Sequence, residues 1–398
     1  MASKNINERI LVVGGSLAGL RTVQALRREG HTGPVTLIGA ETHWPPYDRP
    51  PLSKQVLLGS VDHEQVRLRV QDDPDLRVLA GRRATGLDMG TRTVAVHDGS
   101  SVEYDRLVIA TGAQPRTLPG FAGLRGTHAL RTIDDSLRLR NDLSQARRVA
   151  VIGAGFIGCE VASACRTMGI DVSVIDTLPL PLSPLGDTIG TYLAGILRDA
   201  GVDLHLGRAV SGPVGTNQVE GVVLDDDTRV AADVVVMGIG VAPATAWLES
   251  SGLTVLDGVV CDSSCLAVGG NERVAAVGDV ARWDHPRAGL IRVEHWTNAT
   301  EQASHAARAL LLGSEAAGPF DPMPYFWSDL FGVKLQLVGF CRAGQSVQVI
   351  EGSMSERRLV ATYASEGMVE AVLCVNMPKQ LAEWQARLAA PEPVPATL

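Results

Sequence analysis

The hydrophobic pattern near the N-terminus changes period twice. A short apolar run in RILVVGG leads through a glycine turn to the helix-like spacing of LAGLRTVQALRREG, and a second apolar run follows in VTLIGAE. Residues 147–176 repeat this order as RRVAVIGAG, FIGCEVASACRTMG and DVSVID. Buried strands that flank an amphipathic helix, with a glycine turn after the first strand, predict a βαβ unit. The chain is therefore predicted to be an α/β protein with two such units, at residues 9–41 and 147–176.

The remaining pattern predicts strands followed by glycine, and then a change of character. Strand-then-glycine segments recur at 106–116, 234–243 and 274–283. From Leu335 onward, short strands are predicted in KLQLVGF, QSVQVIEG, RLVATYA and MVEAVLCVN, followed by a helix from about Pro378 to Ala389. This alternation predicts a small α+β C-terminal domain. The Pro-rich tail PEPVPATL is predicted to be disordered.

Composition and charge narrow the class of protein. At 398 residues, two or three domains are expected. The formal net charge is −8 and no long Lys/Arg run is present, which argues against nucleic acid as a partner. No apolar stretch approaches the ~20 residues that span a bilayer, so a cytoplasmic protein without a membrane contact is expected. The six cysteines show no CxxC pair and no metal-ligand spacing, and no metal site is predicted.

The second βαβ unit contains a complete dinucleotide fingerprint. Gly153, Gly155 and Gly158 form GxGxxG directly after a strand, and Asp176 closes the next strand. The glycines allow a tight turn and a close approach of a pyrophosphate to the helix N-terminus. Asp176 can accept hydrogen bonds from an adenine-ribose diol and would repel a 2′-phosphate, so NADH is predicted rather than NADPH. The alternative is a tight turn without a ligand.

The first unit departs from this fingerprint. It reads Gly14-Gly15-Ser16-Leu17-Ala18-Gly19, so Ser16 takes the place of the middle glycine. A serine keeps the pyrophosphate slightly farther from the backbone, although its hydroxyl can bond a phosphate oxygen. Glu41 is the candidate ribose ligand of this unit.

Longer motifs carry a family resemblance over roughly residues 9–380. The segments ETHWPPYDRPPLSK, LVIATGAQPR, GAGFIGCEVA, VVVMGIGVAP, VAAVGDVARW, RVEHWTNATEQA and PYFWSDLFGVKLQLVG resemble, in order, those of FAD-dependent NADH:ferredoxin reductases of bacterial oxygenase systems. The resemblance implies a glutathione-reductase-like fold with two Rossmann-like domains. It places a discontinuous FAD-binding domain at 1–117 and 243–320, an NADH-binding domain at 118–242 and the C-terminal domain at 321–398.

The same resemblance implies which residues bind the cofactors. Those expected to line FAD are Gly14, Ser16, Glu41, Arg49, Lys54, Ala84, Thr111, Gly112, Arg131 and Asp279, with Trp296 and Trp327 near the isoalloxazine. Those expected to contact NADH are Gly153, Gly155, Ile157, Glu160, Asp176 and Gly240.

Lys54 and Glu160 are the predicted catalytic residues. A cation near flavin N5 would favour the reduced, anionic flavin, and a carboxylate would hold that cation in place. The alternative is a solvated lysine and a glutamate on a helix face. For Trp296 and Trp327 the alternative is a place among the core aromatics, and Glu294 could contact the nicotinamide or equally lie on the surface. For His295, a packed or surface position is favoured over a catalytic one.

The position of the cysteines separates the competing functions. Disulfide reductases of this fold carry a cysteine pair after the first βαβ unit, and related peroxidases carry one cysteine there, whereas residues 42–60 contain none. The leading hypothesis is therefore hydride transfer from NADH to FAD, then single-electron transfer to an iron–sulfur ferredoxin that feeds an oxygenase. The alternatives are an NADH oxidase or quinone reductase, and an interaction protein similar to apoptosis-inducing factor.

The resemblance also implies the partners. The ferredoxin is expected to have a two-iron or three-iron cluster, with two-iron two-sulfur favoured, and the oxygenase is expected to be a haem monooxygenase or a Rieske oxygenase. A monomer or weak dimer is expected. Because such ferredoxins are acidic, a basic patch from Arg67, Arg69, Arg292 or Lys334 is a candidate docking surface.

Overall fold

The computed structural model describes residues 7–390, and the chain forms two compact units. The first unit is built from the chain up to Asp48, from Arg67–Gln114 and from Ala242–Pro324. The second is built from Arg49–Val66, from Pro115–Val241 and from the chain that begins at Tyr325. The predicted disorder of PEPVPATL lies outside the described residues. The division into domains at 1–117 with 243–320, 118–242 and 321–398 stays a prediction.

Eight α-helices are described between residues 7 and 390. They are α1 Leu17–Arg28, α2 Gln55–Leu58, α3 Ile133–Leu143, α4 Phe156–Thr167, α5 Gly186–Asp199, α6 Trp296–Leu312, α7 Ser314–Ala317 and α8 Pro378–Ala389.

The strands of the described chain are mostly short. They are β1 Ile10–Val13, β2 Val35–Gly39, β3 Leu76–Ala80, β4 Ala84–Asp88, β5 Thr93–Val96, β6 Ser101–Glu103, β7 Arg106–Ile109, β8 Ala113–Pro115, β9 Thr127–Ala129, β10 Arg148–Ile152, β11 Asp171–Asp176, β12 Val202–Leu206, β13 Val210–Val214, β14 Gly221–Leu224, β15 Arg229–Ala231, β16 Val234–Met237, β17 Val241–Pro243, β18 Val259–Cys261, β19 Val274–Ala276, β20 Ala281–His285, β21 Gly289–Ile291, β22 Tyr325–Leu330, β23 Val333–Gly339, β24 Ser346–Ser353, β25 Arg358–Ser365 and β26 Met368–Val375.

The first unit is organised around a five-stranded parallel sheet. Its strand order is β19-β7-β1-β2-β3, and the register aligns Ile10 with Val35 on one side and with Arg106 on the other. All four residues of β1 are buried, as a central parallel strand requires when helices cover both faces of the sheet. Helix α1 packs against α6. Two smaller sheets, β4-β5-β6 and β18-β20-β21, complete the unit.

The second unit contains a similar parallel sheet and two antiparallel ones. The parallel strands have the order β12-β11-β10-β16-β9. The antiparallel sheets have the orders β13-β14-β15 and β22-β23-β26-β25-β24. Helix α8 packs on β26 and β23. In the five-stranded antiparallel sheet, buried and exposed residues alternate less strictly than in a sheet with one face in solvent. Strand β25, Arg358–Ser365, is buried over most of its length.

Both predicted βαβ units are confirmed, at β1-α1-β2 and β10-α4-β11. The fold class, an α/β protein with two such sheets and a small C-terminal sheet domain, is confirmed as well. The C-terminal strands after Leu335 and helix α8 also lie where the pattern predicts them. Strand β22 was not predicted, because Ser328 and Asp329 interrupt the apolar pattern of YFWSDL.

Candidate functional site

The first glycine turn leaves no room for side chains at two positions. A Cβ at Gly14 would lie 2.0 Å from the carbonyl oxygen of Ala110, and Gly14 has a φ of +128°. A Cβ at Gly19 would lie 1.8 Å from the carbonyl oxygen of Gly14. These glycines therefore bring β1, β7 and the start of α1 into close contact. Ser16 is the N-cap of α1, and the N–H groups of a helix N-terminus form a site for phosphate.

Three predicted FAD ligands follow strands of the first parallel sheet. Glu41 follows β2, Thr111 follows β7 and Asp279 follows β19. Ligands of doubly wound sheets bind outside the carboxyl ends of the strands, which is where these side chains begin. The Tyr47 hydroxyl donates a hydrogen bond to the Glu41 carboxylate and orients it. Thr111 Oγ1 donates to the carbonyl oxygen of Ala244 at 2.9 Å, and Gly112 has a φ of +68°.

The other predicted FAD residues are more dispersed along the chain. Ala84 begins β4 and Trp296 begins α6, where its indole Nε1 donates to Asp48 Oδ1 at 2.9 Å. In the second unit, the Arg49 guanidinium donates to the carbonyl oxygen of Arg131. The structure thus shows local partners for these side chains, and their contact with FAD stays a prediction.

The second glycine turn contains one glycine that the protein itself does not require. A Cβ at Gly153 would lie 2.3 Å from the carbonyl oxygen of Gly238, and one at Gly158 would lie 1.9 Å from that of Gly153. A Cβ at Gly155 would meet no atom within 4 Å, and its φ of −76° suits any residue. Gly155 is the N-cap of α4. The open space at this helix N-terminus therefore fits a pyrophosphate that approaches the backbone closely.

Asp176 is fixed by the backbone of the same turn. Its Oδ2 accepts a hydrogen bond from the Ala154 N–H at 2.6 Å, and its Oδ1 accepts one from the Leu178 N–H at 2.8 Å. Each carboxylate oxygen retains a second lone pair, so both can still accept from a ribose diol. Ile157, in the first turn of α4, is 38% exposed. Gly240 has a φ of +87° in the loop after β16.

Lys54 and Glu160 form an ion pair in the second unit. Lys54 Nζ lies 2.7 Å from Glu160 Oε1, and both side chains are largely buried. The Ser53 hydroxyl donates to Glu160 Oε2 at 2.5 Å, and the Ser328 hydroxyl donates to Oε1 at 2.6 Å. Three donors thus satisfy a carboxylate that is only 6% exposed. Lys54 is therefore not a solvated lysine, and the catalytic role of the pair stays a prediction.

Helix α4 connects the second glycine turn with the C-terminal sheet. Phe156, Glu160 and Ser163 lie on one face, because they are four and three residues apart. Phe156 packs edge-on against Phe326 with ring centroids 4.6 Å apart. Ser163 Oγ accepts a hydrogen bond from the Phe331 N–H at 2.8 Å. Sequence reasoning missed Ser53 and Ser328, because only the fold brings residues so distant in the chain to one carboxylate.

The remaining candidates have local contacts. Trp327 stacks on Tyr325 within β22, with ring centroids 5.9 Å apart. Glu294 is exposed and its carboxylate lies 2.6 Å from Arg292 Nη1. Burial lowers the pKa of His295 to about 4, as expected for a packed histidine.

The proposed basic patch is reduced by ion pairs. Arg292 also contacts Asp257, at 3.3 Å, and Lys334 Nζ lies 3.7 Å from Asp329. Arg67 donates to the carbonyl oxygen of Trp44. Arg69 is exposed and remains the most available cation of the four.

The described thiols are poor candidates for redox chemistry. Cys159 and Cys165 are buried in α4, and burial raises the pKa of each thiol to about 12. Because the thiolate is the reactive form, neither of these cysteines is suited to redox chemistry with a cofactor. Cys261 and Cys265 are buried as free thiols.

Two dinucleotide turns on two parallel sheets, together with a buried lysine–carboxylate pair, define a flavin- and nicotinamide-dependent oxidoreductase. Comparison with known proteins agrees. Residues 8–303 match the pyridine nucleotide-disulphide oxidoreductase family, and residues 325–398 match the reductase C-terminal family. Within residues 7–390, no helix is long and apolar enough to cross a membrane.

Individual relatives are ferredoxin reductases. The chain is 36% identical over 378 residues to the ferredoxin reductase component of chlorobenzene dioxygenase from Cupriavidus sp. (strain PS12), covering 94% of this chain and 90% of that protein. It is 35% identical to rhodocoxin reductase from Rhodococcus erythropolis, covering 87% and 81%. A crystal structure of the covalent putidaredoxin reductase–putidaredoxin complex superposes with a TM-score of 0.90 at 32% identity, covering 96% and 93%.

The chain belongs to the pyridine nucleotide-disulphide oxidoreductase family, in its group of ferredoxin reductases of oxygenase systems, with a glutathione-reductase-like fold. Its cofactors are FAD and NADH.

Proposed function

We propose that this protein is an NADH:ferredoxin reductase that supplies electrons to an oxygenase. FAD, when bound, supplies the chemistry that accepts a hydride from NADH and releases single electrons to an iron–sulfur ferredoxin. The relatives named above are ferredoxin reductases, and the similarity covers most of the length of both chains, which supports this activity. The single observation that carries it is the lack of cysteine in residues 42–60 together with the buried thiols of α4. Electrons therefore have an external acceptor.

The residues of the first glycine turn hold the FAD diphosphate in this proposal. The Ser16 hydroxyl and the N-terminus of α1 bind phosphate, while Glu41 and Asp279 accept hydrogen bonds from hydroxyl groups of the adenosine and ribityl parts. The FAD-binding domain then comprises 1–117 and 243–320. Trp296 and Trp327, with Arg49, Ala84, Thr111, Gly112 and Arg131, are the remaining proposed FAD contacts.

NADH is bound by the second glycine turn, in the domain at 118–242. The open space at Gly155 receives the pyrophosphate, and Asp176 accepts hydrogen bonds from the adenine ribose. Asp176 is well suited to this because the N–H groups of Ala154 and Leu178 hold its carboxylate still. Ile157 and Gly240 line the path toward the nicotinamide.

Lys54 stabilises the negative charge that develops on the cofactor during reduction. A lysine with full freedom would lose orientational entropy each time it served this role. Glu160 removes that cost by fixing Nζ at 2.7 Å, and the hydroxyls of Ser53 and Ser328 fix Glu160 in turn. The ammonium group is therefore preorganised, which is the arrangement that makes charge stabilisation effective.

The finer statements about the partners rest on the family resemblance. We propose a two-iron two-sulfur ferredoxin, a haem monooxygenase or Rieske oxygenase as the final acceptor, and a monomer or weak dimer. Because NADH is its electron source, a cytoplasmic location is proposed, without a nucleic-acid or membrane partner.

Steady-state turnover tests the function. NADH oxidation by the holoprotein is measured with oxygen alone and with a ferredoxin of an oxygenase system plus cytochrome c. We expect slow oxidation with oxygen and a large acceleration by ferredoxin. If oxygen alone supports full turnover with stoichiometric peroxide or water, and no ferredoxin accelerates it, the protein is an NADH oxidase. Equally fast turnover with a quinone alone would identify a quinone reductase.

A further inference from the structure

The fold brings an arginine to the residue that selects the nicotinamide cofactor. Strand β12 pairs in parallel with β11, and Asp176 aligns with Leu206 at the end of the pair. Beyond β12, the Arg208 N–H donates to the carbonyl oxygen of Asp176 at 2.9 Å. The Gly207 N–H donates to the carbonyl oxygen of Leu178 at 3.0 Å. Arg208 is thus a backbone neighbour of Asp176 although it is distant in sequence.

The guanidinium of Arg208 is engaged by two carboxylates. Its Nη2 lies 3.0 Å from Asp226 Oδ2, and its Nη1 lies 3.7 Å from Asp225 Oδ1. Both aspartates lie in the exposed turn between β14 and β15. Hydrogen bonds from Thr228 and then the charge of Arg208 lower the pKa of Asp226, so this carboxylate is charged at neutral pH.

We propose that Asp225 and Asp226 determine the preference for NADH together with Asp176, by holding Arg208 away from the 2′ position of the adenine ribose. This inference rests on the proposed NADH site. An arginine near the second strand of a dinucleotide unit is the group that accommodates a 2′-phosphate. Here the arginine is present, but two of its guanidinium nitrogens face the carboxylates of the turn. Asp176, Asp225 and Asp226 then leave the adenosine end of the site with an excess of negative charge.

The contribution of these exposed charges depends on ionic strength. Exposed ion pairs are individually weak, and charges separated by more than about 8 Å are screened at physiological salt. The rejection of NADPH should therefore weaken as salt is added. A purely steric rejection of the 2′-phosphate would not respond to salt in this way.

Stopped-flow reduction of the bound flavin by NADH and by NADPH tests the proposal without a ferredoxin. The variants are Asp225→Asn with Asp226→Asn, the same pair combined with Arg208→Gln, and Asp171→Asn as a matched control. Asp171 begins the strand that Asp176 ends, and it forms a similar exposed pair with Arg166 at 3.2 Å. We expect the double variant to raise the ratio of NADPH to NADH efficiency about three- to tenfold and to flatten its salt dependence. The control should leave the ratio unchanged.

The triple variant decides whether Arg208 acts. If the gain in NADPH efficiency disappears with Arg208→Gln, the freed guanidinium binds the phosphate. If the gain persists, or if the double variant shows none, the proposal is wrong. If the proposed NADH site is itself wrong, the result is different from these outcomes. In that case Asp176→Asn leaves the KM for NADH unchanged.

Discussion

Lys54 and Glu160 are joined by a 2.7 Å contact between Nζ and Oε1, and the carboxylate is shared with the hydroxyls of Ser53 and Ser328. Ser53 and Lys54 are adjacent in the chain, Glu160 lies in helix α4, and Ser328 lies in strand β22. The C-terminal sheet therefore contributes a hydrogen bond to the carboxylate that holds the proposed catalytic lysine. This is a structural reason for the reductase C-terminal domain to accompany the two dinucleotide units.

Glu160→Gln should weaken both stability and flavin reduction. The variant keeps the shape of the side chain but leaves the largely buried Lys54 ammonium without a counter-charge, which costs about 3–5 kcal/mol for a buried pair. Because Lys54 is then no longer fixed, flavin reduction by NADH should slow about tenfold or more. Thermal unfolding and stopped-flow absorbance measure the two effects.

Lys54→Met combined with Glu160→Leu is the companion variant. Replacing a buried pair by apolar side chains removes the uncompensated charge, so the unfolding midpoint should recover in part while flavin reduction stays slow. The recovery is partial because the buried hydroxyls of Ser53 and Ser328 lose their acceptor on Glu160. Fast reduction in this variant would remove Lys54 from the mechanism.

Gly155→Ala should affect NADH binding more than folding. A Cβ there has open space and a compatible φ of −76°, so it obstructs a ligand that approaches the backbone. We expect the KM for NADH to rise about tenfold or more, equivalent to about 1.4 kcal/mol. The loss of the glycine N-cap should lower the unfolding midpoint only slightly, because it costs about 0.5–1 kcal/mol. Steady-state kinetics and thermal unfolding report the two quantities.

Gly195→Ala is the matched control, because a Cβ at this position within α5 also meets nothing within 4 Å. It should stabilise the protein by about 0.5–1 kcal/mol and leave the KM for NADH unaltered. Equal KM values in Gly155→Ala and the parent protein would show that the pyrophosphate does not lie at this turn.

Much of the fold was predictable because it follows local periodicity. The sequence predicts the two βαβ units because each has apolar strands, an amphipathic helix and a glycine turn. Both turns are crowded enough to require glycine, at Gly14 and at Gly153. Strand β22 was missed because its polar Ser328 points to a buried carboxylate instead of solvent. Ser53 was missed for a similar reason. Such partners are set by tertiary packing, which periodicity does not report.

The cofactor preference was predicted from Asp176 and from the residues beside it in the sequence. The residues next in sequence, Thr177 and Leu178, offer no cation, but the pairing of β11 with β12 supplies Arg208. Contacts of this kind depend on strand order and register, which the sequence pattern left undetermined.

Asp176→Asn combined with Thr177→Arg should narrow the preference for NADH. The parent protein is expected to reject NADPH because a 2′-phosphate near Asp176 is repelled and lacks donors. Such a penalty is about 1.5–3 kcal/mol, or roughly 10- to 200-fold. Stopped-flow reduction with each cofactor measures the ratio, and a parent protein without a preference contradicts the role of Asp176.

Thiol alkylation should leave activity intact. Of the cysteines in residues 7–390, Cys341 is partly exposed and the others are buried, and burial raises the pKa of Cys341 to about 11. The reactive thiolate of Cys341 is therefore scarce at pH 7.5. Its fraction rises about tenfold for each unit by which the pH increases toward that pKa. Iodoacetamide labelling followed by mass spectrometry should show slow, pH-dependent modification of Cys341. Rapid loss of NADH-dependent turnover on alkylation would instead indicate a catalytic thiol.

Electron transfer to the ferredoxin should depend on salt and on Arg69. The family resemblance implies an acidic ferredoxin, and Arg69 is an exposed member of the proposed patch, whereas Arg292 and Lys334 contact carboxylates. Because steering between opposite charges is screened, the ferredoxin-dependent rate should fall as ionic strength rises past ~0.2 M.

Arg69→Glu should lower this rate about three- to tenfold at low salt and leave flavin reduction by NADH unchanged. Arg77→Glu, an exposed arginine on β3, is the control for added negative charge. If both variants lower the rate equally, Arg69 has no specific place in docking, and a rate without salt dependence would show that docking relies on apolar contacts.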